Sequence, residues 1–335
     1  MLYRPNTRWT WIFFVSTFIE AVVLISLEAV IFSSLWGNIG PYARAIATSQ
    51  TIPSFFSLVT LGLVYQLLLV YDTLANQSTI QVVGLGIYSA TMSVYNGLQY
   101  NQLRDVIRDL IEHVVISEGT WPPIRGLLIA IIVITASFTF WIQFSAWKLY
   151  EEFAWITLRK VEADIEMRRR YLHFELLLSL LKFDGFFFLG FLVQLAIVPS
   201  IHTSPTFAAT VVLIPTSCCL LFATASVIRY ESRLGTVAIS ALHLSLIGFF
   251  VYIFTCFYST PYYVEYLPAR RTLSFFGVVT MALALATVIM IYLCYRNFHK
   301  GLRPYISGGS KARLLGETFE VELREGYLRV PHNAT

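Results

Sequence analysis

Charge is what this chain has least of. Only 13% of its 335 residues are Asp, Glu, Lys or Arg, against about 25% in soluble domains, while 56% are hydrophobic. Such a composition excludes an ordinary water-soluble globule. Cysteine is also scarce: Cys218, Cys219, Cys256 and Cys294 all fall inside apolar runs, without CxxC or Cys/His spacing. They read as small buried hydrophobes, and no lumenal disulfide is expected. HExxH, a nucleophile elbow, a Walker loop and a dinucleotide fingerprint are all missing. Gly84 and Gly86 sit inside an apolar run and suit helix packing better than phosphate binding. His113, His202 and His299 are isolated, and His173 and Glu175, two residues apart, point to different helix faces. The chain therefore reads as a non-enzyme with no catalytic residue, no cofactor and no metal site. A net charge of +4 gives no case for nucleic acid, because the basic residues gather between apolar runs.

Long apolar runs are what the chain has in abundance. A span needs about 20 apolar residues, and eight stretches qualify, near 10–36, 51–74, 79–99, 124–147, 171–198, 206–228, 235–259 and 271–295. The first follows Arg4 and Arg8, is too long for a signal-peptide core and lacks a cleavage site, so it reads as a retained anchor. The expected fold is all-α, a polytopic transmembrane helix bundle over residues 1–303 with a polar tail over 304–335. With eight spans, 17 Arg and Lys residues fall on the side of both termini and six on the other. The positive-inside rule then places the N and C termini in the cytoplasm. A seven-span reading puts one basic region on the wrong side and ranks second.

Several local features refine this plan. The short Asn76-Gln77-Ser78 link predicts a tight hairpin between the second and third spans, Pro199 and Pro205 bracket a later link, and Pro215 would kink the sixth span. Residues 102–117 alternate apolar and charged positions at helical spacing. They extend the third span or lie on the bilayer surface, and extension is the more ordinary outcome. In the tail, the alternating run from Glu317 to Arg324 suggests a short strand, though a flexible tail is the plainer reading. The sequons at Asn76 and Asn333 both fall on the cytoplasmic side, so neither is expected to be glycosylated.

The unusual stretch is Arg168 to Gln194, where three arginines precede an apolar helix holding Glu175, Lys182 and Asp184. Charges near the bilayer centre are costly unless paired or hydrated. Lys182 lies roughly 15 Å along its span, Glu20 reaches a similar depth in the first span, and the two could pair. His243 lies at roughly 12 Å. Lys182 and Asp184 point to nearly opposite sides, so this helix should be enclosed by neighbours. Glu20, Lys182, Asp184 and His243 are thus the intramembrane polar candidates. One reading makes them a polar or proton-coupled pathway. The other, placed ahead of it, makes them interhelical ties. Aromatics are plentiful, with 26 Phe and 19 Tyr. Phe186, Phe187 and Phe188 read as lipid contact, and Tyr262, Tyr263 and Tyr266 as interfacial anchors.

From Lys148 to Gln194 the chain resembles an uncharacterised fungal family of multi-pass Golgi apparatus membrane proteins. The resemblance rests on LYEEFAW, on a basic turn before a tyrosine, and on LLKFD leading into a Phe-rich half-helix. It implies location in the Golgi apparatus membrane and brings no activity and no residue roles. The leading expectation is a protein supporting trafficking or sorting, with Arg159, Lys160, Arg168, Arg169 and Arg170 in a cytoplasmic basic loop. Its expected partners are membrane lipids and cytoplasmic trafficking proteins, with no nucleic acid. The alternatives are a proton-linked or small-solute transporter and a receptor-like bundle for a lipid or small molecule.

Overall fold

The computed structural model describes residues 7–40, 52–113, 115–160, 165–197, 205–258 and 270–298. Among these residues there are eight long α-helices and no strand: α1 (Arg8–Asn38), α2 (Ile52–Asn76), α3 (Thr79–Glu112), α4 (Trp121–Lys160), α5 (Ile165–Ile197), α6 (Pro205–Arg229), α7 (Arg233–Tyr258) and α8 (Arg270–Arg296). The eight expected stretches coincide with these helices over their described residues, but the one near 79–99 does not qualify as a span, and α6 continues through Pro215. The alternating run at 317–324, the tail, Asn333 and Tyr262, Tyr263 and Tyr266 lie outside the described residues.

Seven of the helices are long and apolar enough to cross a membrane, and α3 is the exception. Its composition explains why. Gln81, Asn96, Gln99 and Gln102 punctuate it, and all four are buried. A helix facing lipid could not carry them, but α3 packs against α2, α4, α5 and α8, so its polar atoms meet protein instead of hydrocarbon. It starts just after α2 ends and runs for 34 residues, roughly 51 Å, longer than the ~30 Å hydrocarbon core. The charged run after Asn101 continues this helix as far as Glu112, which is the extension expected from its periodicity.

The outer faces of the bundle are apolar as well as its core. Val133, Phe140, Phe222, Leu234 and Val237 are all more than half exposed, as lipid-facing side chains should be. In α5, by contrast, 61% of the most apolar window is buried, against 22% in α4 and α6. Helices α2, α3, α6 and α8 surround it. The reading of Phe186–Phe188 as lipid contact is therefore overturned. Phe186, Phe187, Phe188 and Phe191 are at most 3% exposed, because α5 keeps no broad side for lipid. Phe186 meets Tyr88 edge-on at 5.2 Å between ring centres, and Phe191 meets Phe250 at 5.0 Å. Such edge-to-face pairs contribute about 0.5–1.5 kcal/mol each beyond burial.

Two hairpin turns close with non-glycine residues in left-handed backbone, Gln77 at φ 51° between α2 and α3 and Glu231 at φ 53° between α6 and α7. Beside the first, the Ser78 hydroxyl accepts a hydrogen bond from the Gln81 amide and so caps α3. A β-branched residue suits this backbone poorly. Gln77→Val should lower stability by roughly 1–2 kcal/mol, whereas Gln77→Gly should not. Thermal unfolding in detergent would compare the two.

Candidate functional site

Each intramembrane polar residue has a cost that its surroundings must offset. Lys182 on α5 forms an ion pair with Asp72 on α2. In the same place the Tyr65 hydroxyl donates to the Lys182 carbonyl at 2.5 Å. Glu20 accepts from the Gln66 side chain of α2 at 3.0 Å, so the expected Glu20–Lys182 pair does not form. The reason is azimuthal. α1 packs on α2 and α4, whereas α5 lies against α2, α3, α6 and α8, so equal depth does not bring Glu20 and Lys182 together. The lysine instead leans toward the start of its own helix, the direction in which helical side chains tilt, and this is the end of the bundle where α2 carries Asp72.

The other candidates are tied elsewhere. Asp184 is fully buried and accepts from the Thr287 hydroxyl of α8 at 2.6 Å. His243 is also fully buried, with Nδ1 3.1 Å from the Ile239 carbonyl of its own helix, α7. The four residues thus bond to different neighbours and do not bond to one another. Glu175 leaves its carbonyl to the Ser179 hydroxyl, and His173 meets the Asn297 amide at 3.2 Å.

Residues that the charges overshadow complete the pattern. Gln99 of α3 donates to Glu28 of α1 at 3.3 Å, Asn96 donates to Thr135 of α4 at 3.0 Å, and Gln102 donates to Thr272 of α8. With Glu20–Gln66, Asp72–Lys182 and Asp184–Thr287, these contacts form a closed circuit through α1, α2, α5, α8 and α3. Asn96, Gln99 and Gln102 recur every third residue, and that spacing of uncharged polar groups was the signal for them in the sequence.

Arg159 and Lys160 lie in the last turn of α4, and Arg168, Arg169 and Arg170 in the first turns of α5. Arg170 is paired with Glu166 at 2.7 Å and Arg169 is exposed. The apolar windows of these helices fall within Trp121–Ala154 and Arg169–Ala196. The basic stretch therefore caps the ends of the α4 and α5 spans.

Among curated proteins, the chain is 23% identical over 277 residues to a UPF0658 Golgi apparatus membrane protein of the fission yeast Schizosaccharomyces pombe, covering 76% of this chain and 78% of the relative. The chain is a multi-pass membrane protein. The resemblance read between Lys148 and Gln194 thus extends over most of its length, and the expected location, the Golgi apparatus membrane, is the one in the relative's name. No family model matches the chain, and no solved structure does.

The Asp72–Lys182 tie is open to a double-mutant cycle. Asp72→Asn and Lys182→Met should each lower stability by roughly 1–2 kcal/mol, and the double variant should lose less than their sum. Exchanging Glu20 and Lys182 should restore nothing. Detergent thermal unfolding of the five proteins, wild type included, would check both statements.

Proposed function

We infer that this is a non-enzymatic Golgi membrane protein that supports trafficking or sorting, presenting its basic 148–170 segment and its C-terminal tail to cytoplasmic partners. The observation that carries this reading is the use made of the intramembrane polar groups. Lys182, Asp72, Glu20, Glu28 and Asp184 each bond a side chain on another helix, which is what packing requires. Exposed charge gathers instead at helix ends. α4 is 40 residues long, roughly 60 Å, about twice the hydrocarbon thickness, so its basic end reaches past the membrane. The 17 to six distribution of Arg and Lys supports a cytoplasmic position for that end and for both termini.

Replacing Arg159, Lys160, Arg168, Arg169 and Arg170 together by Gln, and separately deleting 304–335, should leave the fold intact. The expected outcome is a severalfold loss of Golgi retention or of cargo flow, followed with a fluorescent fusion and a secreted reporter. Normal retention and normal flow in both variants would overturn the reading.

One observation favours a second reading, a proton-linked transporter. Glu20, Glu28 and Asp184 are buried carboxyl groups bonded to amides or a hydroxyl and not to a cation. One oxygen of Glu28, one of Asp184 and Nε2 of His243 have no hydrogen-bond partner among the described residues. This reading expects proton flux into proteoliposomes that Asp184→Asn abolishes.

A further inference from the structure

Helices α4 and α5 follow one another in the chain yet do not pack along each other, because α3 lies beside both. A cavity of about 450 Å³ opens in the wedge between them, with α3 and the middle of α8 completing its wall. It starts at Thr79, Tyr150 and Leu172, near the ends of the three helices that meet there, and reaches Thr91 and Phe187. Along α3 that is roughly 18 Å and along α5 roughly 22 Å, so the cavity starts at one face of the bundle and runs past the ~15 Å depth of one leaflet. Ile87 and Val83, both at least half exposed, lie on its rim and open it sideways to the hydrocarbon.

The walls offer an occupant little to bond. Three of the lining polar groups already donate to protein carbonyls: Tyr88 to Gly62 at 2.9 Å, Thr91 to Ile87 at 2.8 Å and Ser179 to Glu175 at 2.8 Å. Most of the remaining lining is aliphatic or aromatic, so the wedge selects an apolar chain. Its outer end is different. Leu172, Leu176, Phe183 and Phe187 form a stripe down α5 at helical spacing, and Arg169 continues that stripe one turn outward, exposed.

We propose that the wedge between α4 and α5 is a lipid site: it takes one acyl chain of a phospholipid from the leaflet on the side of the α2–α3 turn, with the anionic headgroup against Arg169. The occupant follows from three matches. The wedge opens at one end of the bundle and runs inward somewhat past the depth of one leaflet, its walls are mostly apolar with three of their hydroxyls already donating to protein carbonyls, and Arg169, an exposed cation on the line of the stripe, stands where a phosphate would lie. A guanidinium suits phosphate through paired N–H donors.

The test uses the full chain reconstituted in vesicles of phosphatidylcholine with one-tenth phosphatidylserine, each lipid carrying in turn a photoactivatable group halfway along one chain. The expected result is crosslinking concentrated on residues 80–91 and 172–187, with phosphatidylserine favoured. Leu176→Trp and Leu283→Trp fill the wedge from facing walls, and each should remove this labelling while thermal unfolding is unchanged. If one of them fails to fold, the other carries the test. Arg169→Gln, at an exposed side chain, should lower the preference for phosphatidylserine about fivefold and leave labelling by phosphatidylcholine in place. Labelling spread evenly over outward residues such as Val133 and Phe140, or unaffected by both tryptophans, would overturn the site. Equal labelling by both lipids in the wild type would overturn the role of Arg169. These results are independent of Golgi retention and cargo flow, so the site and the proposed function can fail separately.

Discussion

A polar group in hydrocarbon has no water to fall back on, and the helices of the bundle are tied together where such groups find partners on one another. Five helices are joined in a circuit by side-chain contacts, from Glu28–Gln99 through Gln102–Thr272, Thr287–Asp184 and Lys182–Asp72 to Gln66–Glu20. Each contact is modest, since interhelical polar pairs in membranes average about 0.6 kcal/mol. Their weight lies in specificity. A rotation of α3 by one residue would turn Asn96, Gln99 and Gln102 away from three different partners at once, so the circuit fixes the rotation of the most polar helix in the bundle.

Close approach of backbones makes those contacts possible. The Tyr88 hydroxyl reaches the Gly62 carbonyl across α2 and α3, and Gln143 of α4 donates to the Gly86 carbonyl at 2.9 Å. A methyl group on Gly62 would lie 2.3 Å from Met92, and one on Gly86 2.5 Å from Gln143. Small residues therefore let α2, α3 and α4 come near enough to bond through their carbonyls. Aromatic side chains of α5 and α8 then fill the centre, where Phe186 stacks on Tyr65, Phe186 and Phe187 meet Tyr88 edge-on, and Phe276 meets Tyr95 edge-on.

Length and apolarity made the spans legible, because crossing a hydrocarbon layer sets a minimum run that loops rarely imitate. The extension of α3 past Asn101 was legible from its periodicity, and the enclosure of α5 from Lys182 and Asp184 facing opposite ways. Depth could be counted from the ends of a helix, but neighbours could not. Glu20 and Lys182 share a depth and are separated by the order in which the helices pack, which is a property of all eight and of no single run. The same gap explains Phe186 to Phe188: three phenylalanines in an apolar helix look alike facing lipid or core, and only the presence of four surrounding helices decides between them. The amides of α3 went unremarked because uncharged polar groups stand out less than charges, although their cost in hydrocarbon is of the same kind.

The circuit also determines where the bundle is incomplete. By drawing α3 toward α1, α4 and α8 at its far half, through Gln99, Asn96 and Gln102, it anchors the end of α3 remote from the α2–α3 turn. The near half, Thr79 to Thr91, is held to α4 by Gly86–Gln143 and Ser89–Thr139 on one side and to α5 by aromatic packing on the other. No side-chain tie across this near half brings α4 onto α5 among the contacts described, and the two helices diverge where α3 separates them. The gap therefore opens at one end of the bundle and runs inward past one leaflet's depth, and its walls are mostly apolar because three of the four buried amides of α3, Asn96, Gln99 and Gln102, stand toward the other end. A lipid chain entering there would complete the packing of α5 where the protein itself leaves it open.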